Sequence, residues 1–459
     1  MRPNSLVELD RQHYVHPVIG WREHEARGAT VLQSAKGVYV RDQEGRELLD
    51  GFAGLWCVNV GYGQQSIVEV AAEQMRRLPY ATGYFHFASE PAIRLAARLS
   101  ELAPGDLDHA FFTLGGSDAV DSAVKIVRSY FNSTGRPAKK NFIALEKGYH
   151  GSTTIGSGLT ALPAFHATFD APADWQHHIA SPYPYRNPVG SEPAAVIAAS
   201  VAALEGKVAE LGADNVAAFI AEPIQGSGGV IVPPEGWLAA MREACTRLGI
   251  LLIADEVITG FGRTGPMFGS EAEGVTPDLM TVAKGLTSGY VPMGCVMLSD
   301  RIYQAIADGH PTGLPFGHGF TYSGHPVAAA VGLEVIRLYT EGGILANGQR
   351  SGVRLAARLA TLASHPLVGD VRVRGLLAGI ELVTSKKNKT KPAKELGLAR
   401  HLARLGYENG VLYRAFADDV IGLAPPLVIS EAEVDIMVDR IAKTLDDLLA
   451  IPEVRHAID

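Results

Sequence analysis

Three apolar runs in the middle of the chain each end in a charged residue: "VAAFIAEP" (216–223), "GILLIADE" (249–256) and "DLMTVAKG" (278–285). Such runs, with little polar alternation, suit strands buried on both faces. Between the first two lies "PEGWLAAMREACTRLG" (234–249), with Leu238, Met241 and Cys245 at helical spacing. Strand–helix–strand alternation predicts an α/β domain with a mostly parallel sheet. Ligands in such open sheets bind beyond the carboxyl ends of the strands. The residues that close each run are therefore the ones to read for chemistry.

The flanking parts read differently. Helical stretches are expected at 326–340, 349–363 and 394–409, and "VGDVRVRGLLAGIELV" (368–383) reads as a strand pair. "SEAE" from Ser430 is a capping box opening a last helix. The expected organisation is a large domain over 56–325 and a smaller α+β domain from 1–55 together with 326–459. A chain of 459 residues can bury a core of that size without disulfides. Its three cysteines, Cys57, Cys245 and Cys295, form no C-x-x-C pair. This argues against a disulfide framework and a cysteine-based zinc site, and no metal is expected. A reducing, cytoplasmic setting fits. The first residues lack the apolar core of a signal peptide, and no run is long enough to span a membrane. With a net charge of −8 and no large basic stripe, nucleic acid is not an expected partner. The basic cluster at 386–394 reads as a solvated surface loop.

Gly260-Phe261-Gly262-Arg263-Thr264-Gly265 matches G-x-G-x-x-G, the spacing of a dinucleotide-binding turn. A true fingerprint has its glycines directly after the strand and at the start of a helix. Here five residues, Asp255 to Thr259, separate the strand-like run from Gly260, and Pro266 follows the last glycine. The motif is therefore read as a loop that needs tight backbone turns.

The flanks carry more. Asp255 closes one buried run and Lys284 the next. A carboxylate and an amine on neighbouring strand ends suit pyridoxal phosphate. The amine condenses with its aldehyde, and the carboxylate keeps the pyridine nitrogen protonated. Taken singly, Lys284 could be a surface lysine and Asp255 a buried ion pair or cap. A third stretch, "FFTLGGSDAVDSAVKIVRSYF" (111–131), reads as strand, glycine turn and helix, with Val120, Val124, Val127 and Phe131 at helical spacing. Gly115, Gly116 and Ser117 would present backbone N–H groups and a hydroxyl at the helix N-terminus, where a phosphate binds. No nucleotide P-loop motif occurs.

With these residues in place, the chain resembles the class III (ω-type) pyridoxal-phosphate aminotransferases, most of all their pyruvate-dependent amine and ω-amino-acid members. "LLIADEVITGFGRTG" and "DLMTVAKGLTSGYVPMG" carry the likeness. "LDGFAGLWCVNVGYG", "GYHGST", "HGFTYSGHP" and "LAPPLVIS" extend it over nearly the whole chain. The resemblance implies the type I fold of pyridoxal 5'-phosphate enzymes: a large domain with a mostly parallel sheet plus a smaller α+β domain. It implies Lys284 as Schiff-base lysine and proton shuttle, and Asp255 as partner of the ring nitrogen. Val257 and Tyr149 would cover the two ring faces, Gly116 and Ser117 would bind the phosphate, and Glu222 would support the ring substituents or serve a structural hydrogen bond. Thr321 would bind the phosphate from the partner subunit, so a homodimer is expected, with a tetramer left open. Trp56, Tyr84, Phe85 and Tyr149 would line an apolar donor pocket, although Trp56 could equally be core. Arg414 would bind the acceptor carboxylate, unless it is ion-paired near Asp418 and Asp419. Arg263 fits loop positioning. Asp118 stands where relatives often carry a glutamate. The implied activity moves an amino group from a primary amine or ω-amino acid to an α-keto acid, most simply pyruvate, by a ping-pong route. Decarboxylation and amino-shift isomerisation would use the same lysine and aspartate. A non-catalytic cofactor-binding protein is the reading outside catalysis.

Overall fold

The computed structural model describes residues 5–458. At its centre is a seven-stranded sheet. In chain order its strands are β4 (His109–Thr113), β5 (Asn141–Leu145), β6 (Gln176–Ile179), β7 (Val216–Ala221), β8 (Leu251–Asp255), β9 (Leu279–Val282) and β10 (Gly294–Leu298). In space the order is β4-β10-β9-β8-β7-β5-β6. β10 runs antiparallel to both neighbours, and the remaining pairs are parallel. Every residue of β7, β8, β9 and β10 is buried, because helices cover both faces. Leu251 and Ile253 pack on the side of helix Gly116–Ser133. Leu252, between them, packs with Trp237, Leu238 and Met241 of helix Trp237–Leu248. This is the period-two alternation of a strand.

Two four-stranded sheets flank the centre. One comprises β1 (Leu32–Lys36), β2 (Tyr39–Asp42), β3 (Glu47–Asp50) and β13 (Val411–Leu412). The other comprises β11 (Val368–Arg374), β12 (Leu377–Leu382), β15 (Val420–Leu423) and β14 (Arg414–Ala415). The parallel pairing of β3 with β13 joins the two ends of the chain.

The expected helices form at Pro326–Thr340, Leu398–Glu408 and Glu431–Leu449. The last is opened by a complete capping box, in which Ser430 Oγ accepts from the Glu433 N–H and Glu433 accepts from the Ser430 N–H. The helix expected at 349–363 instead spans Ile344–Ala360. Its buried face includes Gly348, Ser351 and Gly352, so the first turns show no apolar period. Those small residues allow close approach: a Cβ on Gly352 would lie 2.9 Å from the Gly375 carbonyl oxygen.

Candidate active site

Four strand ends and one helix start converge at the carboxyl edge of the central sheet. Asp255 is the last residue of β8, and Lys284 follows β9 by two positions. Glu222 directly follows β7, the 146–151 loop follows β5, and Gly115 caps the helix that follows β4. Together they enclose a cavity of about 110 Å³ lined by Gly116, Ser117, Tyr149, His150, Gly151, Glu222, Asp255, Val257, Ile258 and Lys284. Seven expected residues are thus brought together from five separate stretches of sequence: Gly116, Ser117, Tyr149, Glu222, Asp255, Val257 and Lys284.

Asp255 is buried and fully engaged. One carboxylate oxygen accepts from His150 Nδ1 at 2.8 Å. The other accepts from the Thr281 hydroxyl at 3.1 Å and the Val257 N–H at 3.2 Å. His150 is buried too, yet its Nε2 has no hydrogen-bond partner. In the "GYHGST" segment the sequence points to Tyr149 alone. The available signal was a histidine beside a site aromatic in a loop that follows a strand. Glu222 is 3 % exposed and accepts from the Tyr149 and Gly226 N–H groups, both at 2.9 Å. Burial pushes its carboxyl up to about 7, opposed by His150.

Lys284 has φ +39°, a backbone conformation uncommon outside glycine, and opens a short 3-10 turn. Burial holds its amine below the ordinary lysine value, while Cys57, Asp255 and Glu222 pull the other way. An amine so disposed is easier to deprotonate than a solvated one. Its Nζ lies 5.4 Å from the centre of the Trp56 ring.

Helix Gly116–Ser133 has no side-chain cap, so its first N–H groups are available to an anion. The approach depends on small residues. A Cβ on Gly116 would sit 3.0 Å from a Val257 methyl, and one on Gly151 would sit 2.7 Å from Ser117 Oγ. Asp118 turns back from this turn to accept from the Leu114 N–H at 2.5 Å.

Trp56 is 2 % exposed, with φ +57° in a kinked turn braced by Asp50, which accepts from Gly54 N–H and Tyr62 hydroxyl at 2.7 Å each. It is both core and neighbour of Lys284, packing with Ile224, Ile258 and Phe416. Its ring centre is 6.1 Å from that of Phe416, and Arg414 Cζ lies 5.6 Å over the Phe416 ring. Asp418 pairs with Lys147 and Lys391 rather than with Arg414. Thr321, Tyr84 and Phe85 do not line the cavity. They are exposed on adjoining surface segments, where the Tyr80 hydroxyl donates to the Thr321 carbonyl at 2.9 Å.

The glycine motif forms turns rather than a strand-to-helix phosphate loop. Gly262 and Gly265 have φ +83° and +114°. Arg263 is fully buried and donates to the carbonyls of Pro425 (2.5 Å) and Leu376 (3.2 Å) and to Asn59 Oδ1 (2.7 Å). It fastens the loop to the C-terminal segment.

Residues 22–445 match the aminotransferase class-III family, and the chain belongs to it. It is therefore a pyridoxal-phosphate-dependent enzyme that transfers amino groups. The putrescine–pyruvate aminotransferase of Pseudomonas aeruginosa is 44% identical over 443 residues, 96% of each chain. The diaminobutyrate–2-oxoglutarate transaminase of Halomonas elongata is 38% identical, again over 96% of each. Among solved structures, a thermostable (S)-enantioselective ω-transaminase from Thermomicrobium roseum superposes with a TM-score of 0.94 at 42% identity, covering 97% of this chain and 98% of that one. The ω-transaminase of Pseudomonas jessenii, in complex with PMP, superposes with a TM-score of 0.94 at 39% identity, covering 97% and 98%.

The residues present fit that cofactor. The cavity has a free helix N-terminus beside Ser117 for a phosphate, and a buried carboxylate held in place for a ring nitrogen. It also has an amine for the aldehyde, and small residues where a flat ring must approach backbone. Among the described residues no helix is long and apolar enough to cross a membrane.

Proposed function

We propose that the chain transfers the amino group of a terminal amine to pyruvate, giving alanine. The donor class is an ω-amino acid or primary amine such as a diamine, 4-aminobutyrate, β-alanine or an arylalkylamine. The likeness to a putrescine–pyruvate aminotransferase supports the diamine end of that range. One observation carries the assignment. The Lys284 amine and the Asp255 carboxylate stand on adjacent strand ends of one cavity that also receives a helix N-terminus.

When bound, pyridoxal phosphate supplies an aldehyde that condenses with amines and a ring that stores an electron pair. Asp255 would hold the proton on the ring nitrogen, with His150 and Thr281 fixing its orientation. Gly116 and Ser117 would bind the phosphate, and Val257 and Tyr149 would pack on the ring faces. Glu222, about half protonated near pH 7 and more so below it, would donate to a ring substituent oxygen. The Lys284 Nζ would hold and move the proton taken from the donor carbon. Trp56, Tyr149, Tyr84 and Phe85 would wall the donor's apolar part. Arg414 would rest on Phe416 while a donor is bound and swing to the acceptor's carboxylate, which its planar fork suits. The carbonyl product leaves before pyruvate enters, as a single pocket requires.

We also place the working enzyme as a homodimer in the cytoplasm. Thr321 of one subunit would reach the phosphate held by the other, and Tyr84 and Phe85 would complete the neighbouring pocket. Exposed aromatic side chains around them support this: Phe85 is 81 % exposed, Phe87 65 % and Tyr322 56 %.

The test is spectroscopic. The visible band of the purified enzyme should fade with a donor amine and return with pyruvate, with alanine formed in step. Lys284→Ala should not cycle. Consumption of donor without alanine would favour a decarboxylase or an aminomutase instead.

A further inference from the structure

The N-terminal segment is organised around polar groups. Helix Leu6–His13 buries none of its residues, and helix Trp21–Arg27 buries only His24. Across residues 5–30, His24 is the one buried residue, while Leu6, Leu9, Tyr14, Val15 and Trp21 are exposed. The shielded part of the segment is therefore mainly polar. Val7 is its one half-buried large apolar side chain, and at its centre stand the buried His24 and the half-buried Asp10 and His16.

These three converge. Nε2 of His16 is 2.6 Å from one Asp10 carboxylate oxygen, and Nε2 of His24 is 2.7 Å from the other. The two imidazole rings lie 4.2 Å apart, and the ligating atoms of all three residues fall within 4.8 Å of one another. The residues come from a helix, the loop after it and the next helix, so the cluster joins positions up to 14 apart.

From this arrangement we infer a binding site for a divalent transition metal, formed by Asp10, His16 and His24. Two imidazoles and a carboxylate are the donor set of zinc, cobalt and nickel sites rather than of calcium or magnesium sites. Ligand atoms about 2.1 Å from a tetrahedral ion are separated by about 3.4 Å from one another. The present contacts of 2.6 and 2.7 Å need to open by about 0.7–0.8 Å at the carboxylate, a shift that side-chain rotation on an exposed segment supplies. The ion replaces the two N–H protons now directed at Asp10, and water completes its shell. A segment of this length without an apolar core of its own is held by a disulfide, a metal or a partner subunit, and here the polar centre supplies a metal's donors. The cysteine count does not bear on this site, because its donors are nitrogen and oxygen. Its role is structural: it fastens residues 5–30 and lies outside the cofactor cavity.

The experiment is calorimetric titration of chelator-treated holoenzyme with zinc chloride. One ion per chain is expected to bind. Affinity should fall at least about ten-fold in His24→Ala and in Asp10→Asn, and hold in His13→Ala. Zinc should also protect residues 5–30 of the unaltered enzyme from limited proteolysis, a readout that needs no variant. Heats with no saturable step, binding that survives both substitutions, or an N-terminal segment cleaved equally with and without zinc would each overturn the assignment.

Discussion

His150 donates from Nδ1 to Asp255 at 2.8 Å, and both side chains are buried. A carboxylate buried in low-dielectric surroundings is costly unless hydrogen bonds match it, and His150 supplies one of them. On the proposed function, His150 acts as a positioning residue for that carboxylate. His150→Phe removes the donor and should lower kcat about ten- to hundredfold, from about 1–3 kcal/mol of lost hydrogen bonding. The visible band of the bound cofactor should shift in the same variant. A purely structural histidine would change thermal stability and leave that band in place.

Glu222 gives a pH prediction. Burial raises its carboxyl from 4.5 to about 7. A raised acid pKa stabilises the fold fully below the unfolded value and progressively less as pH climbs through the folded one. The Glu222 contribution should be lost between about pH 4.5 and about pH 7, by about 3 kcal/mol for that interval. Melting temperatures of the cofactor-free protein and of Glu222→Gln should therefore converge, or cross in favour of the variant, as pH rises over this window. The difference between the two proteins isolates Glu222 from Glu381, which burial also pushes up to about 7.

Arg414 has a guanidinium over Phe416 while Asp418 is engaged elsewhere. Arg414→Ala should raise KM for pyruvate about ten- to hundredfold, the worth of a charge-assisted hydrogen-bond pair. KM for a donor lacking a carboxylate should change far less. Steady-state kinetics with a monoamine donor and varied pyruvate decide it, and equal effects on both substrates would remove Arg414 from acceptor recognition.

Arg263 supplies the donors for two carbonyls and the Asn59 side chain within the protein interior. Arg263→Leu strands these acceptors, each costing about 1–3 kcal/mol. The melting temperature should fall by several degrees. If the glycine motif bound a dinucleotide, the variant would instead change nucleotide affinity, which a fluorescence titration would register.

Much of the site was legible because its chemistry sits at strand ends. Asp255 and Lys284 close apolar runs, and Gly115–Ser117 stand between a strand and an amphipathic helix. His150 was not picked out because a histidine in a loop carries no periodic signal; its meaning comes from a carboxylate 105 positions away. The early start of helix Ile344–Ala360 was hidden for a related reason. Close packing against Gly375 demands small residues, and these erase the apolar repeat.

The sequence by itself determined the α/β class, the alternation that builds the central sheet, and the family, because local periodicity and motif spacing are written along the chain. Tertiary structure alone decided which groups share a cavity. It placed Lys284 beside Trp56, 228 positions away in sequence, seated Arg414 on Phe416, and kept Thr321, Tyr84 and Phe85 on the surface of the single chain. The physical reason is that burial and hydrogen bonding depend on distances in space. The sheet order β4-β10-β9-β8-β7-β5-β6, which differs from chain order, sets those distances.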